Sequence, residues 1–213
     1  WSRGLGDVYK RQGVSTLELD IVMSKDGIPV VWHDPDVQAE KCHDTAPATP
    51  NDHMYPYVGK LVHNLNWSQL QTLSCDKKLA DFPGQKVAKD NRMIQLKDVF
   101  DIVKKYGAEK DIYYNIETKV EADDHSKSAE PKEFVDAIMG AVKDAGVQDK
   151  VMIQSFDWRT FPLMKDVAPE VPLVMLYDET TWLKDSKWTG DVNYDDVNGD
   201  VIKAAKKLGV QVL

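Results

Sequence analysis

Apolar and acidic residues alternate strictly along Thr16-Leu-Glu-Leu-Asp-Ile-Val22, the period of a strand with two different faces. Ser24-Lys-Asp-Gly27 is turn chemistry, and Ile28-Pro-Val-Val-Trp-His33 is a second apolar, β-branched run. From Asp34 to Asn91 the chain is polar and punctuated by proline, with one short helix signal from Asn66 or Ser68 through Leu73, so residues 34–91 read as a long loop insertion. Periodicity then returns. A helix is predicted from Leu96 to Tyr106, with Val99, Phe100 and Val103 on one face and Gly107 as its stop. A strand over 111–119 follows, then a helix from Pro131 to Ala145 with proline at its start and Gly146 past its end. Val151–Ser155 is a strand, Trp158–Val167 a helix, Pro172–Leu176 a strand, Asp200–Leu208 a helix, and Val210–Leu213 the start of another strand. Strands alternating with helices imply an α/β fold with a parallel sheet, either doubly wound or a (β/α)8 barrel. No glycine-rich loop follows any strand, so the dinucleotide and P-loop readings lack their signature.

Charge narrows the function. The chain has 213 residues and a net charge of −8, with none of the basic bias that general nucleic-acid binding needs. No apolar run approaches the roughly 18 residues of a membrane span, so no stable membrane insertion is expected. The two cysteines, Cys42 and Cys75, can form one disulfide or stand as free thiols, and a disulfide would favour a secreted or periplasmic protein over a cytoplasmic one. A zinc site from Cys42, His43, His53 and Cys75 is a further alternative, though its spacing matches no usual zinc motif. Asn66-Trp-Ser68 forms a glycosylation sequon. Asp191-Val-Asn-Tyr-Asp195 opens like an EF-hand loop but lacks the glycine and the closing glutamate, and reads as a solvated acidic loop.

Strand parity points to chemistry. Glu18 and Asp20 share one face, about 7 Å apart at the i, i+2 spacing, while Leu17, Leu19 and Ile21 take the other. Asn115, Glu117 and Lys119 share a face in the same way, opposite Ile112, Tyr114 and Ile116. His33 closes the second apolar run and is expected at a strand's C-terminal end, where parallel α/β folds bind ligands. On a half-exposed antiparallel sheet the acidic row would be ordinary solvated surface. With helices covering the sheet, the carboxylates need a partner, and all-oxygen ligands suit Mg²⁺ or Ca²⁺. A cation beside a histidine and a lysine suits phosphoryl chemistry.

Leu17-Glu-Leu-Asp-Ile-Val22 followed by Lys25-Asp-Gly-Ile-Pro-Val-Val-Trp-His-Asp34 resembles the core signature of the glycerophosphodiester phosphodiesterases. Asn115-Ile-Glu-Thr-Lys119 and Gln154-Ser-Phe156 resemble that family's later strand ends. The resemblance runs from about Gly13 to the C-terminus. It implies a (β/α)8 TIM barrel hydrolysing small-molecule glycerophosphodiesters to glycerol 3-phosphate and an alcohol with a divalent cation. Carried over, Glu18, Asp20 and Glu117 would be metal ligands, His33 a general acid/base and Lys119 a phosphate contact, with the substrate's glycerol hydroxyl as internal nucleophile. A phospholipase D-like lipid phosphodiesterase and a non-catalytic barrel used as a binding module are the other readings.

Part of the family pattern has no counterpart: the opening His-Arg pair and the Pro-Glu-Asn-Thr-like segment, which supply a second histidine, a phosphate-binding arginine and another ligand glutamate. In their place, residues 1–12 include Ser2-Arg-Gly-Leu-Gly-Asp-Val-Tyr-Lys-Arg-Gln12, which resembles the translation of a sequencing adapter. The expectation is therefore a non-native segment at 1–12 and a partial phosphodiesterase barrel at 13–213, missing its first strand and closing strand or strands. Such a fragment is expected to have little activity, with bare strand edges that limit solubility.

Overall fold

The computed structural model describes residues 13–213; the adapter-like segment lies outside them. Five strands form one sheet in the order β2-β1-β3-β4-β5. They are β1 (Thr16–Met23), β2 (Pro29–Val31), β3 (Tyr113–Thr118), β4 (Val151–Ser155) and β5 (Leu173–Met175). The helices are α1 (Trp67–Leu70), α2 (Leu96–Lys105), α3 (Pro131–Ala145), α4 (Thr160–Val167) and α5 (Val201–Leu208). Strands β1, β3, β4 and β5 run parallel.

The apolar row of each parallel strand meets the helices. Leu17, Leu19, Ile21, Tyr114, Ile116, Val151, Ile153 and Leu173 share a core with Val99 and Val103 of α2, Phe134 and Ile138 of α3 and Phe161 of α4. The opposite row carries Glu18, Asp20, Asn115, Glu117 and Gln154, away from the core that α2, α3 and α4 share with the apolar row. A doubly wound sheet buries both faces under helices. The long helices α2, α3 and α4 on one side and a polar row on the other make this open sheet an incomplete (β/α)8 barrel.

Local chemistry explains the helix ends. Pro131 occupies the first turn of α3, and Gly146 closes it at φ 67° in the left-handed region, which glycine adopts without strain. The Asp200 side chain accepts from the Ile202 and Lys203 amides to start α5.

The sheet departs from expectation at both edges. β2 is antiparallel to β1, because the short Ser24–Gly27 turn can only return the chain beside itself. At the other edge, Val210–Leu213 forms no strand and contributes a single bridge, Val174 to Val212.

Residues 34–91 have little regular structure but a core of their own. Val37, Cys42, Tyr57, Val62, Leu65, Leu70 and Leu73 pack with Val22 of β1 and Val30 of β2. A Cys42–Cys75 disulfide joins the segment's two halves, beside a bridge between His43 and Ser74. Bonded to each other, neither cysteine can serve the zinc alternative.

Candidate metal-binding active site

Register builds the site. Asp20 of β1 stands opposite Glu117 of β3, and Glu117 stands opposite Gln154 of β4. One step toward the strand starts, Glu18 stands opposite Asn115. Glu18, Asp20, Asn115 and Glu117 thus lie in two adjacent rows on the inward face, and a carboxylate oxygen from each of Glu18, Asp20 and Glu117 falls within 4.8 Å of the others.

Lys119, just past the end of β3, reaches over this cluster. Its Nζ lies 3.0 Å from Glu117 Oε1 and 3.8 Å from Asp20 Oδ1. It also lies 3.4 Å from His33 Nε2. The sequence placed His33 at the C-terminal end of a parallel strand. It arrives instead two residues past the antiparallel strand, where the chain continues back along β1 so that the Trp32 amide donates to the Asp20 carbonyl at 3.0 Å. The hairpin returns the imidazole to the level of the carboxylates. All five residues singled out from the sequence therefore meet.

Two side chains with no role in the sequence reading complete the arrangement. Gln154 Nε2 donates to Glu18 Oε1 at 2.7 Å and reaches Glu117 Oε2 at 3.5 Å. Asn115 Nδ2 donates to Gln154 Oε1 at 2.7 Å. This amide chain orients the carboxylates from below. The signal was available in part, because the apolar positions Val151 and Ile153 put Gln154 on the inward face.

Electrostatics make the cluster receptive to a cation. Burial, then the charges of Asp20 and Glu117, push the Glu18 carboxyl above its ordinary range. Burial also raises Glu117, outweighing the Lys119 ammonium beside it. Three carboxylates face one ammonium, so the ionised group carries excess negative charge in a partly desolvated place. The donors are all hard oxygens, which fits a divalent ion of the Mg²⁺ or Ca²⁺ kind.

A family model described as the glycerophosphoryl diester phosphodiesterase family matches residues 8–212. Among solved structures, a protein of Silicibacter pomeroyi named for glycerophosphoryl diester phosphodiesterase activity superposes with a TM-score of 0.66 at 22% identity, over 94% of this chain and 72% of its own. An Oleispira antarctica phosphodiesterase, solved with the product sn-glycerol-3-phosphate, gives a TM-score of 0.67 at 17% identity, over 98% and 66%. A glycerophosphodiester phosphodiesterase of Parabacteroides distasonis gives 0.60 at 16%, over 99% and 63%. The chain thus spans 63 to 72% of the length of these three proteins. A search of curated proteins gives no match.

Proposed function

The chain belongs to the glycerophosphoryl diester phosphodiesterase family, and from that premise we propose that its carboxylate cluster holds a divalent cation and serves the hydrolysis of glycerophosphodiesters to glycerol 3-phosphate and an alcohol. One observation carries the proposal: Glu18, Asp20 and Glu117, from two separate strands, bring oxygens within 4.8 Å of one another. Lys119 and His33 stand at the same place. The product bound by the Oleispira antarctica protein is of the same chemical class.

Glu18, Asp20 and Glu117 would hold the ion, which when bound supplies positive charge to the phosphate oxygens. Lys119 places its ammonium where it can contact a non-bridging phosphate oxygen. The attacking group is the glycerol hydroxyl neighbouring the ester. Its oxygen bonds to phosphorus, the bond to the alcohol oxygen breaks, and the alcohol leaves with a proton. Intramolecular attack spares the entropy of bringing in a second reactant. Water then opens the cyclic phosphate to glycerol 3-phosphate. His33 exchanges protons with the reacting oxygens.

Each displacement takes a proton from one oxygen and gives one to another. Among the described residues His33 is the imidazole in contact with the cluster, through Lys119. Turnover by the 213-residue chain itself is therefore expected to be low. The disulfide supports an oxidising, extracytoplasmic location for the protein. Among the described residues no helix is long and apolar enough to cross a membrane.

The test is calorimetric titration with sn-glycerol 3-phosphate, with and without Mg²⁺ or Ca²⁺. Binding that needs the cation and is lost in Glu117→Gln supports the reading. No binding of either cation sinks it. Rapid release of choline from glycerophosphocholine by this chain would overturn only the expectation of low turnover.

A further inference from the structure

His33 is poorly held by packing. Its side chain is 62% exposed, so no core fixes its rotamer. What fixes it is a line of charged groups. His33 Nδ1 lies 3.1 Å from Asp34 Oδ1. The other oxygen of Asp34 accepts a hydrogen bond from the Lys41 ammonium. Lys41 also sits over the Trp32 ring, 5.4 Å from its centroid. The Trp32 indole is itself pinned, donating to the Asp36 carbonyl at 3.0 Å.

We infer that Asp34, braced by Lys41, is the positioning residue for His33, and that the 34–91 segment serves the site by delivering Lys41. This rests on the phosphodiesterase reading for its purpose, but not for its test. Neither Asp34 nor Lys41 touches the cation cluster or the proposed substrate position; both act through the imidazole.

The chemistry of the neighbours sets the tautomer. A carboxylate only accepts hydrogen bonds and an ammonium only donates them. Asp34 therefore demands a proton on Nδ1, and the Lys119 ammonium, 3.4 Å from Nε2, faces the ring's lone pair. The neutral imidazole is thus held with Nδ1–H toward Asp34 and an unprotonated Nε2 toward the phosphate position. Without Lys41, Asp34 loses the partner that fixes its second oxygen and is free to swing toward water.

Lys41 is in turn located by the insert. It precedes Cys42, which is bonded to Cys75. The Cys42 amide donates to the Gln38 carbonyl at 2.9 Å, and the His43 amide to the Ser74 carbonyl at 2.8 Å. The Lys41 backbone therefore sits at the root of a cross-linked unit, while only its side chain leaves toward the site.

The experiment uses the full chain labelled with ¹⁵N-histidine and reads the His33 tautomer by long-range proton–nitrogen NMR, at a pH where the ring is neutral. The wild type is expected to show mainly the Nδ1–H form. Asp34→Ala and Lys41→Met should each move the ratio toward Nε2–H by about threefold or more, in line with the loss of one partly exposed charged contact. Lys41→Arg should keep the wild-type ratio. The signals of His43, His53, His63 and His125 report whether the fold is intact, and Lys41→Met, a partly exposed position, answers the question should Asp34→Ala fail to fold. A wild type dominated by Nε2–H, or a ratio unmoved in Lys41→Met, overturns the inference. Either result leaves cation and sn-glycerol 3-phosphate binding as a separate test of the function.

Discussion

Lys119 Nζ stands 3.0 Å from Glu117 Oε1, so the cluster's own counter-ion sits where an incoming cation would also act. The ammonium neutralises part of the carboxylate charge and at the same time repels a divalent ion. Lys119→Met should therefore separate two affinities. Cation binding is expected to tighten by about two- to tenfold, while cation-dependent binding of sn-glycerol 3-phosphate weakens by about tenfold or more for loss of a charged phosphate contact. Calorimetry with each ligand checks both signs.

The raised Glu18 and Glu117 carboxyls give the site a pH dependence with a definite sign. Both hold protons more tightly in the fold than in the unfolded chain. Their contribution to stability is complete below the ordinary value of 4.5 and is lost as pH rises through the raised folded value. Glu18→Gln removes one of these charges. The variant should melt about 1–2 °C above the wild type at pH 7–8 without added cation, and the difference should vanish below the ordinary glutamate range. Cation affinity of the wild type should fall as pH drops through the same interval, because protons and the ion compete. Melting curves at several pH values, with and without Ca²⁺, test both statements.

Gln154 links Glu18 to Asn115 through its amide. Gln154→Leu keeps the volume and removes the link. Cation affinity is expected to drop about 10–100-fold, as for other partners that orient ligating side chains, with little change in melting temperature. Equal loss of stability and affinity would point to packing instead.

Phe134 of α3 is fully buried against the sheet, on the face opposite the carboxylates. Phe134→Ala should cost about 3–5 kcal/mol in urea unfolding. Under native conditions the surviving folded fraction should keep its cation affinity, because Phe134 belongs to the helix-side core and the carboxylates to the opposite face.

The Cys42–Cys75 bridge closes a separation of 33 residues. Cys42→Ser with Cys75→Ser is expected to lower stability by ~3–4 kcal/mol through the freedom returned to the unfolded chain. Because Lys41 precedes the bridge, the same variant should loosen the His33 tautomer preference before the sheet unfolds. Tryptophan fluorescence and the histidine NMR signals follow the two events separately.

Much of this was legible in the sequence because parity and period are local. The alternation at Thr16–Val22 separated Glu18 and Asp20 from Leu17 and Leu19, and the proline and glycine bracketing α3 marked its ends. Direction was less legible. An apolar run such as Ile28–His33 carries no arrow, and only the shortness of the Ser24–Gly27 turn shows that β2 must run backward. The role of Gln154 depends on which residue lies opposite it two strands away, and no single strand records that register. The 34–91 segment buries its own core without a repeating period, so its apolar residues had no pattern to reveal them.

β1 is a party wall. Ile21 and Met23 are bricks of the helix-side core, whereas Val22, between them, belongs to the core of the disulfide-linked segment. β2 extends the partition, with Val30 in the segment's core and Val31 against the helix-side core, and β1 also carries Glu18 and Asp20. A change of side-chain volume on either side presses on the strands that divide the two cores, so the segment and the sheet cannot be repacked independently.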